Sequence, residues 1–164
     1  MIGSTFRVVF DCNIFWRAFF HRAGIGHECY KLVINESVRH YVSDETVEEL
    51  LEVLAREDTL SKFPEYDLDD VEEFVNDIVY IPTYVQSVKQ LMHLARDIDD
   101  EPYLNLAISV RANYLVTTDN DLLDIMTGTD FESKKFRQRF RGLKIVRPDE
   151  FLRVVNQTEI SLKP

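Results

Sequence analysis

The chain is 164 residues long, the size of one ordinary domain, residues 1–164, with a single core covered on both faces. Its 45% hydrophobic and 29% charged residues, with only five each of Gly and Pro, exclude a disordered or fibrous chain, and no apolar run approaches the roughly 20 residues of a membrane span. A net charge of −10 argues by itself against a nucleic-acid partner, but the charge is uneven: Asp44 to Glu73 holds 13 acidic residues against Arg56 and Lys62, while Lys134 to Arg147 holds seven of the 19 basic ones.

The N-terminus passes through a short polar stretch into Phe6 to Phe10, without the basic start and apolar run of a signal peptide. With two cysteines, Cys12 and Cys29, too few for a disulfide framework, a cytoplasmic protein is expected. Phe6 to Phe10 is short, β-branched and aromatic, and predicts a buried first strand that runs straight into Asp11. Ile14 to His21 and Cys29 to Ile34 predict two short helices joined by a break at Gly24 and Gly26. His40-Tyr41-Val42 reads as a strand, after which Ser43 caps a helix with Val47, Leu50, Leu51 and Leu54 on its apolar face.

Leu68, Val71, Phe74, Val75 and Ile78 form a stripe at helical spacing. Pro82 interrupts, Val88 to Ala95 is expected to form a further short helix, and Arg96 to Pro102 leads into a helix over Tyr103 to Val110 whose first turn suits Pro102. Tyr114 to Thr117 reads as a strand, Asp119 to Met126 as a turn and helix, Lys144 to Val146 as a last strand and Pro148 to Val155 as a last helix. Strands separated by helices imply parallel pairing with right-handed crossovers, and so a three-layer α/β/α sandwich around a mainly parallel sheet.

In such sheets functional groups gather at the carboxyl ends of the strands. Asp11 and Asp119 follow strands, Glu49 lies on a helix after one, and Asp100 begins a helix. Four carboxylates brought together would repel one another unless divalent cations sat among them, which makes a Mg²⁺ or Mn²⁺ centre the site hypothesis. Strand order cannot be read from one sequence, so spacing alone does not establish that the four meet.

Nearly the whole chain, about residues 6 to 152, resembles the PIN-domain nucleases, and within them the toxins of toxin-antitoxin systems. The resemblance is carried by Val8 to Asn13, Ser43 to Leu50, Arg96 to Asp100, Ala112 to Leu123 and Pro148 to Leu152, in that order. It implies a metal-dependent ribonuclease with Asp11, Glu49, Asp100 and Asp119 as the acidic quartet and Asp121 as an auxiliary acid. Asn13 and Thr117 match polar positions of the motif that would orient carboxylates or water. An RNA substrate, a cognate antitoxin and a homodimer are implied by the resemblance. Hard oxygen ligands suit Mg²⁺ or Mn²⁺, and such ions can activate water and neutralise developing charge without a histidine or lysine base.

The chain departs from the family pattern at three places. Cys12 stands where threonine is usual, replacing a hydroxyl by a weak donor. Ile98 takes a common proline position and Thr118 one of glycine or serine, and neither change removes an acid.

Each residue has a plainer reading. Asp11 alone would cap the following helix, and Asp119-Asn120-Asp121 would pair with a helix dipole. Only one of Glu48 and Glu49 can face the strand ends, and the choice of Glu49 rests on its place before Leu50 in the family pattern. Asp97, Asp99 and Asp100 are similarly ambiguous, with Asp97 suited to an Asx turn and Asp100 to the ligand. Lys134, Lys135, Arg137, Arg139 and Arg141, interleaved with Phe136 and Phe140, read either as a phosphate-tracking patch with stacking rings or as a solvated segment anchored by the two phenylalanines. Phe15, Trp16, Phe19 and Phe20 read as core or as a partner surface, and the four histidines lack metal-ligand spacing.

Other classes fit less well. Asn13 stands where a haloacid-dehalogenase phosphatase needs its acid, the acids and lysine of a phospho-receiver are not supplied, and no Gly-x-Gly-x-x-Gly follows a strand. The remaining rival is a PIN-like module that binds RNA or protein without cutting.

Overall fold

The computed structural model describes residues 5–80, 84–93 and 99–162. In chain order the elements are β1 (Arg7–Phe10), α1 (Cys12–Phe20), α2 (Ile25–Ile34), β2 (Arg39–His40), β3 (Val42–Ser43), α3 (Asp44–Leu54), α4 (Glu57–Leu60), α5 (Leu68–Val79), β4 (Tyr84–Val85), α6 (Glu101–Ser109), β5 (Tyr114–Val116), α7 (Asn120–Thr127), α8 (Phe131–Arg139), β6 (Lys144–Val146) and α9 (Pro148–Leu162). A four-stranded parallel sheet has the order β2-β1-β5-β6, and β3 pairs with β4 in a second, two-stranded sheet.

Successive side chains of a strand point to opposite faces. Val8, Val9 and Phe10 are nonetheless all buried, as are Tyr114, Leu115 and Val116, so β1 and β5 are covered on both sides. The three-layer α/β arrangement expected from alternating elements follows. On the Phe10 side, α9 sets Phe151 edge-on against Phe10 and beside Tyr114, while α6 runs along β1 and β5. Phe15, Phe19 and Phe20 are core, and Trp16 packs half-buried against Phe20 and Phe63.

Ser43 starts α3 through a capping box: its hydroxyl accepts from the Thr46 N–H, and Thr46 Oγ1 accepts from the Ser43 N–H at 2.9 Å. The single strand expected over His40 to Val42 is split at Tyr41. The Tyr41 N–H still donates to the Val8 carbonyl, but Val42 and Ser43 leave the main sheet to pair with Tyr84 and Val85. The helix expected over Val88 to Ala95 is absent from residues 88–93. There the buried Asn105 takes the N–H groups of Leu91 and Met92 on its Oδ1, each at 2.8 Å, which holds them in a non-helical path. Pro82, residues 94 and 95, and the Arg96-Asp97-Ile98 stretch lie outside the described residues. In α5 the stripe of Val71, Val75 and Ile78 is buried as expected, while Leu68 at its start is 56% exposed. The last helix runs past Val155 to Leu162.

Gly24 caps α2 and Gly26 lies inside it, where α1 and α2 touch. A Cβ at Gly26 would stand 2.7 Å from the Ile14 carbonyl oxygen and 2.8 Å from Arg17 Cβ. Gly26→Ala should therefore lose about 1–2 kcal/mol net, overpacking outweighing the roughly 1 kcal/mol gained in helix propensity. Chemical denaturation measures this; an unchanged midpoint would mean that the two helices separate freely.

α6 ends in a Schellman turn, with the Ala112 N–H donating to the Ala107 carbonyl and the Arg111 N–H to that of Ile108. Arg111 holds the left-handed position at φ 52°, where glycine would be cheaper by about 1 kcal/mol.

Candidate active site

Because β1, β5 and β6 are parallel, their carboxyl ends share one edge. Hydrogen bonding continues one residue beyond the strands, with the Asp11 N–H donating to Val116 and the Thr117 N–H to Val146, each at 3.0 Å. Asp11 and Thr117 are thus held as rigidly as the sheet, and both side chains are buried.

Thr117 ties two acids together. Its hydroxyl donates to Asp11 Oδ2 at 2.7 Å, and the same oxygen accepts from the Asp119 N–H at 2.9 Å. Asp11 stands at the N-cap of α1 but makes no side-chain cap bond of good geometry; the N–H groups of Cys12 and Asn13 only lean toward it. Asp119 does cap, its Oδ1 accepting from the N–H groups of Asp121 at 2.7 Å and Leu122 at 3.4 Å. Asp121 is exposed in the first turn of α7, and Asn13 is exposed in the first turn of α1.

Burial pushes the Asp11 carboxyl above its ordinary range, and the charge of Asp119 adds to the effect. From α3, Glu49 faces the same place while its neighbour Glu48 is exposed. Glu49 is also raised, first by burial, then by Asp11 and Asp99, so the chain just before α6 reaches these acids as well. Asp100 is half-buried at the N-cap of α6, and its carboxylate does not cap that helix.

Two residues enter that sequence reasoning did not single out. Tyr103 is buried to 2% exposure, with its hydroxyl beside Glu49 and the Cys12 thiol yet lacking a full hydrogen bond. Burial and the neighbouring acids push the phenol upward, so it stays neutral and keeps its O–H as a donor toward Glu49. Its place one helical turn after Asp100 was the available signal. Arg56 lies near enough to act on Cys12, while its guanidinium bonds Glu52. The Cys12 thiol is pushed up to about 12 by burial, Glu49 and Asp11, so it remains a neutral, packed group.

No lysine, arginine or histidine pairs with Asp11, Glu49 or Asp119 among the described residues. Carboxylates that repel and lack a basic partner form the donor set a hard divalent cation requires. Among the described residues, however, no three acidic, histidine or cysteine side chains stand close enough together to hold an ion. The donor chemistry fits; the side chains are not drawn in around a centre.

Thr117→Val keeps the shape and removes the hydroxyl that holds Asp11 and Asp119. It should lower divalent-cation affinity about 10- to 100-fold and cost about 1–3 kcal/mol of stability, measured by Mn²⁺ titration and denaturation. Unchanged affinity would mean that Thr117 only packs.

The basic segment divides. Arg137 turns inward and donates to the carbonyls of Ile125 at 2.6 Å and Gly128 at 2.8 Å, closing the end of α7. Phe136 is buried and Phe140 half-buried, while Lys134, Lys135, Arg139 and Arg141 are exposed.

The PIN domain family model matches residues 7–121, well over half the chain and the whole span from Asp11 to Asp121. No curated protein matches at a significant level. PIN domains are generally nucleases and generally use divalent metal ions. No helix among the described residues is long and apolar enough to cross a membrane. With a parallel sheet flanked by helices, acids at its carboxyl edge and a match across both, this chain belongs to the PIN-domain family.

Proposed function

We propose that this protein is a Mg²⁺- or Mn²⁺-dependent endoribonuclease that cuts RNA phosphodiester bonds at Asp11, Glu49, Asp100 and Asp119, with Asp121 as an auxiliary acid. The observation that carries the reading is Asp11: a buried, upward-shifted carboxylate held by Thr117 beside Asp119 and near Glu49, with no basic partner among the described residues. A buried charge left so exposed to repulsion is costly unless a cation offsets it.

Asp11 and Asp119 would contribute oxygens from the strand ends, and Glu49 and Asp100 from the flanking helices. When bound, the ion supplies an acidified water and positive charge for the phosphate. Thr117 keeps Asp11 from rotating away, Tyr103 donates toward Glu49, and Asn13 stands where it can orient water. Among the described residues no histidine or lysine acts on Asp11 or Glu49 to serve as base.

RNA as the substrate, the role of toxin paired with an antitoxin and a homodimer rest on the resemblance of the motif blocks to that group of PIN proteins, and a cytoplasmic location rests on two cysteines being too few for a disulfide framework. The second reading, a PIN-like module that binds RNA or protein without cutting, draws on Cys12 in place of the usual threonine and on acids that do not converge on one point.

Calorimetric titration of the wild type and Asp100→Asn with Mn²⁺ separates the two. The nuclease reading expects cation binding weakened at least tenfold in the variant. Absence of binding in the folded wild type at millimolar Mn²⁺ would favour the binding module.

A further inference from the structure

The opposite, amino edge of the sheet carries a concentration of positive charge that the carboxylate site does not use. Arg7 at the start of β1, Arg111 after α6, and Arg139 and Arg141 at the end of α8 line one cavity of about 280 Å³. They come from three separate stretches of sequence. In a chain of net charge −10, no acidic residue lines this cavity, and the rest of its wall is apolar or neutral.

The four arginines are not consumed by the fold. Among the described residues none of them forms an ion pair. Arg7 spends only its Nε, on the Arg111 carbonyl at 2.9 Å, leaving its Nη groups for another acceptor. Arg139 lies over the Phe140 ring at 5.0 Å, a contact that does not occupy its N–H donors. Arg111 holds the left-handed position after α6, with its side chain exposed at the cavity wall.

Four guanidinium groups around one cavity repel one another, and an anion with several oxygens relieves that repulsion. Planar forks of this kind match phosphate bidentately. We infer that the cavity between Arg7, Arg111, Arg139 and Arg141 is a phosphate-binding site, separate from the carboxylate edge, that takes phosphoryl groups either of an RNA backbone or of a free phosphate compound. Arg7 and Asp11 are four residues apart on an extended chain, so the two sites are separated by roughly 13 Å of strand. The inference holds whether or not the carboxylate edge cuts RNA.

The test is calorimetry in EDTA, which keeps cations from bridging phosphate to the acids and keeps RNA intact. Pyrophosphate and a short single-stranded oligoribonucleotide are titrated into the full chain, into Arg111→Gly, and into Arg139→Ala combined with Arg141→Ala. Arg111→Gly suits its backbone position, so its melting temperature should not fall and lost binding cannot be ascribed to unfolding. Pyrophosphate should bind the wild type, at least tenfold more weakly in Arg111→Gly and undetectably in the double variant. Parallel loss of RNA affinity would identify the backbone as the source of the phosphate; loss of pyrophosphate with RNA affinity unchanged would identify a free phosphate compound. No pyrophosphate binding by the wild type, or equal binding by all three proteins, would overturn the site and leave a solvated basic surface.

Discussion

Asp11→Asn is expected to melt higher than the wild type in EDTA and to lose most RNA cleavage when Mn²⁺ is present. The two effects share one cause. Burial and Asp119 raise the Asp11 carboxyl above its unfolded value of 3.8, so its favourable state in the fold is the protonated one. Its contribution to stability is complete below the unfolded pKa and is lost as pH rises through the higher folded value. At neutral pH the ionised group therefore works against the fold. The amide removes that charge and can still accept from the Thr117 hydroxyl. A gain on the order of 1 kcal/mol, a few degrees in Tm, is expected.

Mn²⁺ should reverse the order. A cation that binds only the folded wild type at about 100 times its Kd adds about 2.7 kcal/mol, and the variant receives little of this. Cleavage should fall on the order of a hundred- to thousandfold. A variant that melts below the wild type in EDTA would show that Asp11 stabilises the fold through bonds rather than serving as an uncompensated ligand.

His40 is expected to make the protein acid-sensitive well above the pH where carboxylates titrate. Its ring is 1% exposed, both nitrogens lack partners among the described residues, and the rings of Phe10 and Phe15 lie 5.9 and 5.3 Å away. Burial lowers its pKa from 6.5 to about 3. Below about pH 6.5 the unfolded chain takes up a proton that the folded chain refuses, so stability is lost as pH falls from there toward 3. At pH 5 the loss is about 2 kcal/mol, or roughly 4–8 °C in Tm. Asp11 and Glu49, shifted upward, act in the opposite sense over part of the same range, so the net slope is smaller than that of His40 alone. His40→Met fills the space without a titrating group and should remove the acid loss. Equal pH profiles for the two proteins would show that His40 finds a partner on protonation.

How much of this could be read from the chain depends on whether the cause is local. β1 and β5 are short apolar runs ending at Asp11 and Thr117, and a strand followed at once by a polar residue is a local signal. So is the Ser43 cap of α3. The meeting of Asp11 with Thr117 is not, since it depends on β5 lying beside β1 across more than a hundred intervening residues. The split after His40 and the non-helical path of 88–93 were missed for the same reason: each is held by a partner remote in sequence, Tyr84 and Val85 in one case and Asn105 in the other. The basic segment reads as one patch because its residues are adjacent. Folding turns Arg137 inward and adds Arg7 and Arg111, which no spacing connects to it.

The most direct measurement is cutting of end-labelled single-stranded and hairpin RNAs by EDTA-dialysed protein as Mn²⁺ or Mg²⁺ is restored, with Asp11→Asn and Asp119→Asn alongside. Cutting should be absent in EDTA, recover with the ion in the wild type, and recover little in either variant. Cutting that persists in EDTA, or that both variants retain, would contradict a metal-dependent nuclease at the carboxyl edge of the sheet.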